Sequence, residues 1–496
     1  MHPPVTMHLP ASHNSPNFTI QYSFNIMSSF KRTLGLQTTI ALVVGGVIGS
    51  GIFMKPAVMA QQLGNPLLLL SVWIVAGCIT LFGALSNAEV AAIYPETGGQ
   101  YVFFKKMYGD AFAFMYGWAA FAVFNTAGNA SIAYVCSQYA DYFLHLPRFA
   151  AATEHGMQLH IPFIGNIYPL ENISVKLLTI TLVIVLSFIN YYSVQYGSAV
   201  QRVLTALKAL AILLLICGIL FSGKGDTANI FHAAASAPAG NALIPAYIAA
   251  IAGAFWAYDG WNNISFVAGE IKEPQRNIPR SLFVGLLFCI IIYALVNLSY
   301  LYVLPIEQLA SSSFVASDAA GVVWGAAGGS IIALMVILST LGTANGNILA
   351  TARVTYALGG ENRLFTWAGR AHPRHSTPGN ALWLNAVWSS ILIFSGSFDM
   401  LTDMLIFVTW FFYGMSALGV FILRKKYPGA ERPYKVWGYP VITFLFVAFT
   451  AFFLVSTVVT DIKNYISHQT PVINSLLGAC IACVGIPLYY LSKRRK

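Results

Sequence analysis

The chain of 496 residues contains 9% Asp, Glu, Lys and Arg against 57% hydrophobic residues, and its mean hydropathy is +0.68. A water-soluble protein is about a quarter charged, so the composition excludes an ordinary soluble enzyme of this length. The net charge of +10 sits in short loops between apolar runs, which suits a protein oriented in an anionic-lipid bilayer and argues against a nucleic-acid partner.

Residues 1–26 hold no Lys or Arg, no long apolar stretch and no cleavage-site pattern, so they are not a signal peptide. They are expected to be either a disordered tail or an over-extended start, with Met27 (M-S-S-F-K-R) as the alternative beginning. A membrane-spanning helix needs about 20 mostly apolar residues. Runs of that kind fall near 37–61, 67–93, 111–144, 174–191, 197–222 and 242–272, then 281–304, 328–359, 381–398, 401–424, 440–461 and 470–491. An all-α integral membrane protein of 12 transmembrane helices is therefore expected.

The loop charges orient it. Of the 27 Lys and Arg, 21 lie on the side of the N-terminus and five on the other (Lys55, Arg148, Lys176, Lys224 and Lys463), leaving Lys208 in mid-span. Positive charge accumulates on the cytoplasmic side, which places both termini there. The six cysteines all lie within apolar runs, so no disulfide framework is expected, and Cys480 and Cys483 read as packing residues.

Two spans depart from smooth helices. The first reads G-G-V-I-G-S-G-I-F from Gly45 to Phe53. These glycines permit either close helix packing, as through Gly45 and Gly49, or an unwound segment with free N–H groups. The sixth reads A-F-W-A-Y-D-G-W-N-N from Ala254 to Asn263, and polar residues at that depth need a protein or water lining. Discontinuous helices at corresponding positions mark inverted repeats, with half-helix ends facing a site at the bilayer midplane. N–H groups at half-helix N-termini favour an anion, and carbonyls at the opposite ends favour a cation. Together they suit a zwitterion such as an α-amino acid.

Six motifs fall in order on the expected loops and helix ends. They are G-S-G-I-F (Gly49–Phe53), Y-P-E-T-G-G-Q-Y (Tyr94–Tyr101), A-G-E-I-K-E-P-Q-R-N-I-P (Ala268–Pro279), N-G-N-I-L-A-T-A-R (Asn345–Arg353), H-P-R-H-S-T-P (His372–Pro378) and R-P-Y-K-V (Arg432–Val436). From Lys31 to Tyr439 the chain resembles the amino acid–polyamine–organocation (APC) superfamily, and within it the L-type amino acid transporter branch. The resemblance implies a LeuT-like fold of two inverted five-helix repeats, 35–222 and 240–424, with accessory helices over 436–492. A cytoplasmic tail (1–34) and a basic C-terminus (493–496) flank them.

By that resemblance, N–H groups and a hydroxyl around Gly49, Ser50 and Gly51 hold the substrate carboxylate, and carbonyls near Ile48, Trp256 and Ala257 hold its α-amino group. Trp256 matches the position of an aromatic gate, though a buried Trp is as often plain packing. Tyr258 and Asn262 complete the candidate substrate-binding set. Lys208 matches a lysine that replaces a sodium ion, with Ser339 or Thr343 as hydroxyl partners, which implies sodium-independent transport. A charged residue at mid-span costs roughly 2.5–3.5 kcal/mol on insertion scales and is functional by default. Asp259 reads first as a cap of the second half of helix six, and otherwise as a cation partner or coupling group. Glu89 and Glu270 read as structural or gating charges near helix ends.

Animal members of the branch join a second subunit through a loop cysteine between helices three and four. Residues 145–173 have none, so no disulfide-linked subunit is expected. The expected function is amino acid exchange or permeation in the inner (plasma) membrane, with neutral L-amino acids favoured and no cofactor. The alternative is proton-coupled uptake of amino acids or polyamines. An enzyme is disfavoured by the lack of H-E-x-x-H, G-x-S-x-G and P-loop patterns, and a channel by the lack of charged rings.

Overall fold

The computed structural model describes residues 32–96, 98–192, 208–361, 366–375 and 377–494. The 1–26 tail, Met27, the 197–207 approach to Lys208, Arg363 and the last two residues lie outside that set.

The first span is α1a (Leu36–Val47) and α1b (Gly51–Leu63), bent by 44° at their junction. Next come α2 (Pro66–Ile93), α3 (Asp110–Leu144) and α4 (Ile173–Tyr192), then α5, described over Lys208–Gly218. The sixth span is α6a (Leu243–Tyr258) followed by a 3-10 segment, α6b (Trp261–Glu270). Then follow α7 (Pro274–Val303), α8 (Val315–Gly360), α9 (Gly379–Ser395), α10 (Phe398–Lys426), α11 (Val441–Ile466) and α12 (Asn474–Lys493). Among the described residues, nine helices are long and apolar enough to cross a membrane, and the α1a/α1b pair makes a tenth. The two remaining expected positions are occupied by the α5 fragment and the 17-residue α9, both shorter than a full span.

Local chemistry sets the ends. Asn65 caps α2 by accepting from Leu68 N–H at 3.1 Å, with Pro66 in the first turn where its missing N–H costs nothing. Ser397 caps α10 through Met400 N–H at 3.2 Å. Helix α7 begins at Pro274, seven residues before the expected start. Pro274 occupies the first turn and Pro279 lies early in the helix, so neither stops it.

Two groups of helices pack around the interrupted spans. Helices α1, α2, α6 and α7 pack with one another, while α3, α4, α8 and α9 form the second group. Helix α10 touches both and carries α11 and α12 against its back. Asn129, Asn347 and Thr351 join α3 to α8 through side-chain bonds of 2.8 and 2.9 Å.

The two ends of the bundle differ in their chemistry. At one end, a hairpin of β1 (Leu159–Ile161) and β2 (Gly165–Ile167) binds the segment before α12. There Asn166 N–H donates to Pro471 O at 2.7 Å and Ile473 N–H to Ile164 O at 2.9 Å. At the opposite, basic end, Glu89 of α2 accepts two bonds from Arg424 of α10 (2.9 and 2.7 Å) and one from Val436 N–H (2.8 Å). The R-P-Y-K-V motif thus closes that end onto α2. Nearby, Thr33 and Leu34 N–H groups donate to Glu270 O, and Lys272 N–H returns a bond to Leu34 O. The start of α1a and the end of α6b are therefore joined as one piece.

Three expectations need correction. Lys55 and Lys176, counted as loop charges, are buried inside α1b and the first turn of α4. Lys176 Nζ donates to Tyr168 O and Pro169 O at 3.0 and 3.3 Å. Cys480 and Cys483 are exposed on α12 rather than packed, and thiols are apolar enough for that surface.

Candidate transport site at the paired helix breaks

Helix α1a ends at Ile48, whose N–H donates to Val44 O, and α1b starts after Ser50. Between them, the N–H groups of Gly49 and Ser50 find no backbone acceptor among the described residues, that of Gly49 facing the Tyr293 hydroxyl, and those of Gly51 and Ile52 begin a new helix. Four donors therefore cluster at the positive end of α1b. The Ser50 side chain is buried, does not cap α1b and hydrogen-bonds to no described residue.

Both glycine functions occur here, at different residues from those expected. A Cβ at Gly45 would meet nothing, and one at Gly49 only the local chain. Gly46 instead packs on Gly260, where an added Cβ would lie 3.0 Å from Gly260 O, and Gly51 packs on Ala257 at 2.6 Å. Gly260 adopts φ +100°, a conformation natural to glycine, and its backbone lies against the Gly46 carbonyl. The two interruptions thus meet face to face.

Tyr293 on α7 fastens them. Its hydroxyl lies 2.8 Å from Val47 O and 2.9 Å from Ala257 O, one carbonyl from each interrupted span. The ring is fully buried against Trp73 and Tyr258, with centroids 5.4 and 4.9 Å away. Sequence reading missed this residue. The signal was present as Tyr293, Asn297 and Tyr300, a polar stripe at helical spacing on an apolar span.

The other candidates fall in three places. Ile48, Gly49, Ser50, Gly51, Trp256 and Ala257 all lie at the meeting of the breaks. Trp256 sits beside Gly51, with its ring edge-on to Phe398 at 5.2 Å. Tyr258 points the other way, its hydroxyl donating to Trp73 O at 2.9 Å in α2. Asn262 lies toward the basic end, accepting from Asn87 at 3.2 Å, and Asn87 accepts from Ser416 of α10 at 2.7 Å.

Asp259 follows α6a, but Gly260 holds the N-cap position of α6b and no side chain caps it. The Asp259 carboxylate instead accepts from the Tyr413 hydroxyl at 2.7 Å, binding the α6 break to α10. The capping expectation fails because a 3-10 segment preceded by a left-handed glycine does not aim its first N–H groups at Asp259.

Lys208 is buried and makes no hydrogen bond or ion pair among the described residues. It lies within electrostatic reach of Cys289, one helical turn before Tyr293 on the same face of α7. Ser339 is buried, and Thr343 donates its hydroxyl to Ser339 O at 2.9 Å, so neither hydroxyl is bonded to Lys208. Among the described residues, no group of three His, Cys, Asp or Glu converges as a metal site.

A many-span helical bundle with two interrupted helices facing each other at mid-depth is the architecture of a secondary carrier. The chain belongs to the amino acid permease family, whose model matches residues 34–483, and thus to the APC superfamily with its LeuT-like multi-span membrane fold. It is 30% identical to the serine/threonine exchanger SteT of Bacillus subtilis over 95% of this chain and 98% of that protein. It is 29% identical to the human b(0,+)-type amino acid transporter 1, covering 86% of this chain and 82% of the relative. The human large neutral amino acids transporter small subunit 2 matches at 29% over 93% of this chain and 81% of its own length. The protein is an amino acid transporter.

Proposed function

We propose that the chain exchanges neutral L-amino acids by alternating access, without sodium and without chemistry on the substrate. The observation that carries this reading is the apposition of the two breaks, with the N–H groups at the start of α1b beside the carbonyl end of α6a. That arrangement complements a carboxylate and an ammonium held one carbon apart. In this reading Gly49, Ser50 and Gly51 receive the carboxylate, Ile48, Trp256 and Ala257 offer carbonyls to the amine, and Trp256 closes over the substrate. Lys208 supplies a fixed positive charge where a coupled cation would otherwise sit, supported by its burial without a counter-charge among the described residues.

The same proposal places the protein in the plasma membrane with both termini cytoplasmic. The basic end carries Lys105, Lys106, Lys272, Arg370, Arg374, Arg424, Lys425, Lys426, Arg432 and Lys435, whereas the hairpin end keeps Arg148, Lys224 and Lys463. That distribution follows the positive-inside bias. The carrier works without a disulfide-linked subunit, since the hairpin loop holds no cysteine. Residues 35–222 and 240–424 form the two repeats.

Uptake into proteoliposomes tests it. Preloading with serine, threonine or leucine is expected to accelerate entry of labelled substrate several-fold, equally in sodium and in choline buffer. Uptake that requires sodium, or that ignores the internal amino acid, would contradict the proposal.

A further inference from the structure

The buried Lys55 joins α1b to α10 and takes no part in the contact between the two breaks. It stands one helical turn beyond Gly51 on α1b, on the same face and therefore directly over the break. Its stem runs along α6a, where a Cβ added to Gly253 would lie 3.4 Å from Lys55 Cδ. Its ammonium donates to Asp399 Oδ1 at 2.7 Å and Thr402 Oγ1 at 2.9 Å on α10. It also lies 4.9 Å from the Phe398 ring centre and 5.9 Å from that of Trp256.

These contacts place the charge on the way into the site. Phe398 touches Trp256 on one side and Tyr134 on the other, at centroid separations of 5.2 and 6.3 Å. Tyr134 in turn lines a cavity of about 210 Å³ at the hairpin end, beside Asp141 and Arg148. The order from that cavity inward is Tyr134, then Phe398 with the Lys55–Asp399 pair, then Trp256 and the break. The Lys55 side chain is 3% exposed, whereas that of Asp399 is 51% exposed. Asp403, bonded to Asn474, lies within electrostatic reach of Lys55, Asp399 and Asp461, the last bonded to Ser475 N–H. Lys55 is the cation paired with Asp399 here, while Lys463 lies in the last turn of α11 near Asp461.

We propose that the Lys55–Asp399 pair is the charge filter of this carrier, admitting amino acids with uncharged side chains and turning away cationic and anionic ones. The inference rests on the reading of the paired breaks as the substrate site, and names the residues that set its substrate class. A neutral side chain meets a compensated pair. A cationic side chain meets the Lys55 ammonium over Trp256, and an anionic one meets the half-exposed Asp399 carboxylate first. Removing either partner leaves the other uncompensated beside the path. At a separation of about 8 Å in a partly solvated site, one such charge changes the relative affinity of a charged competitor by about tenfold.

The experiment is exchange of labelled neutral amino acid in proteoliposomes, competed from outside by L-lysine or L-glutamate. Lys55→Met is expected to raise the potency of L-lysine about tenfold relative to an unlabelled neutral competitor. Asp399→Asn is expected to do the same for L-glutamate, and the double variant to return to the wild-type pattern. Lys55→Arg, which keeps the charge, is expected to keep that pattern too. Lys55→Gln replaces Lys55→Met if the latter does not fold. A competitor-to-neutral ratio unmoved in both single variants, or a wild type that takes lysine as readily as neutral substrates, would overturn the filter. A wild type that exchanges no amino acid would overturn the transport reading itself.

Discussion

One hydroxyl group, Tyr293 Oη, touches carbonyls of both interrupted spans and lies at the face of α7 that Lys208 approaches. A buried hydroxyl–carbonyl bond contributes about 0.5–1.5 kcal/mol net, and an orphaned buried carbonyl costs more. Tyr293→Phe keeps the ring contacts with Trp73 and Tyr258 but frees Val47 O and Ala257 O from each other. Exchange is expected to fall roughly tenfold, the equivalent of about 1.4 kcal/mol, with little change in melting temperature. Lys208→Ala is expected to lower exchange further while the protein still purifies as a monodisperse species. Wild-type rates in both variants would refute these roles. At this scale the sequence revealed which residues were chemically anomalous, Lys208 and Asp259 among them. It did not reveal that Tyr413 bonds Asp259 or that Tyr293 joins the two breaks, because each contact is made by a single hydroxyl on another helix. Lys55 was misread for a related reason. A lysine near a helix end looks like a loop charge until Asp399, 344 residues away, is seen to bury it.

At the scale of elements, interruption and close packing turn out to be one device. Glycines that weaken α1 also let its backbone approach the α6 break, so each interruption is accommodated by the other. Gly260→Ala places a methyl group into the Gly46 carbonyl at a positive φ, and such strain costs on the order of 1–3 kcal/mol. It is expected to lower thermal stability by several degrees and abolish exchange, whereas Gly45→Ala, which meets open space, is expected to do neither. Melting curves and exchange rates of the two variants decide this, and equal behaviour would sink the argument. Most spans were legible to within a few residues, since hydropathy fixes where a helix can cross, but α7 and α8 begin earlier than expected, α8 as two helices joined at a kink at Gly325. The start of α7 was less legible, because its first turns, from Pro274 to Arg280, are polar and fall outside the apolar run.

At the scale of the molecule, α10 runs beside the α1–α2–α6–α7 group and is bonded to it at three levels. Lys55–Asp399 lies at the hairpin end, Tyr413–Asp259 at the breaks, and Ser416–Asn87 with Arg424–Glu89 at the basic end. Alternating access, as proposed, requires the bonds at one end to part while those at the other end hold. The family could be read from motif order, and the two interruptions from broken periodicity. The bonded path along α10 could not, because it is made of single long-range contacts. The central claim is that the paired breaks recognise the amino acid backbone itself, with carboxylate at the α1 break and amine at the carbonyls. The most direct measurement is thermal stabilisation of the purified carrier by a transported L-amino acid compared with its decarboxylated amine and its 2-hydroxy acid analogue. Only the intact amino acid is expected to raise the melting temperature, by an amount that grows with concentration as for a ligand bound to the folded state. Equal stabilisation by either analogue would contradict the account.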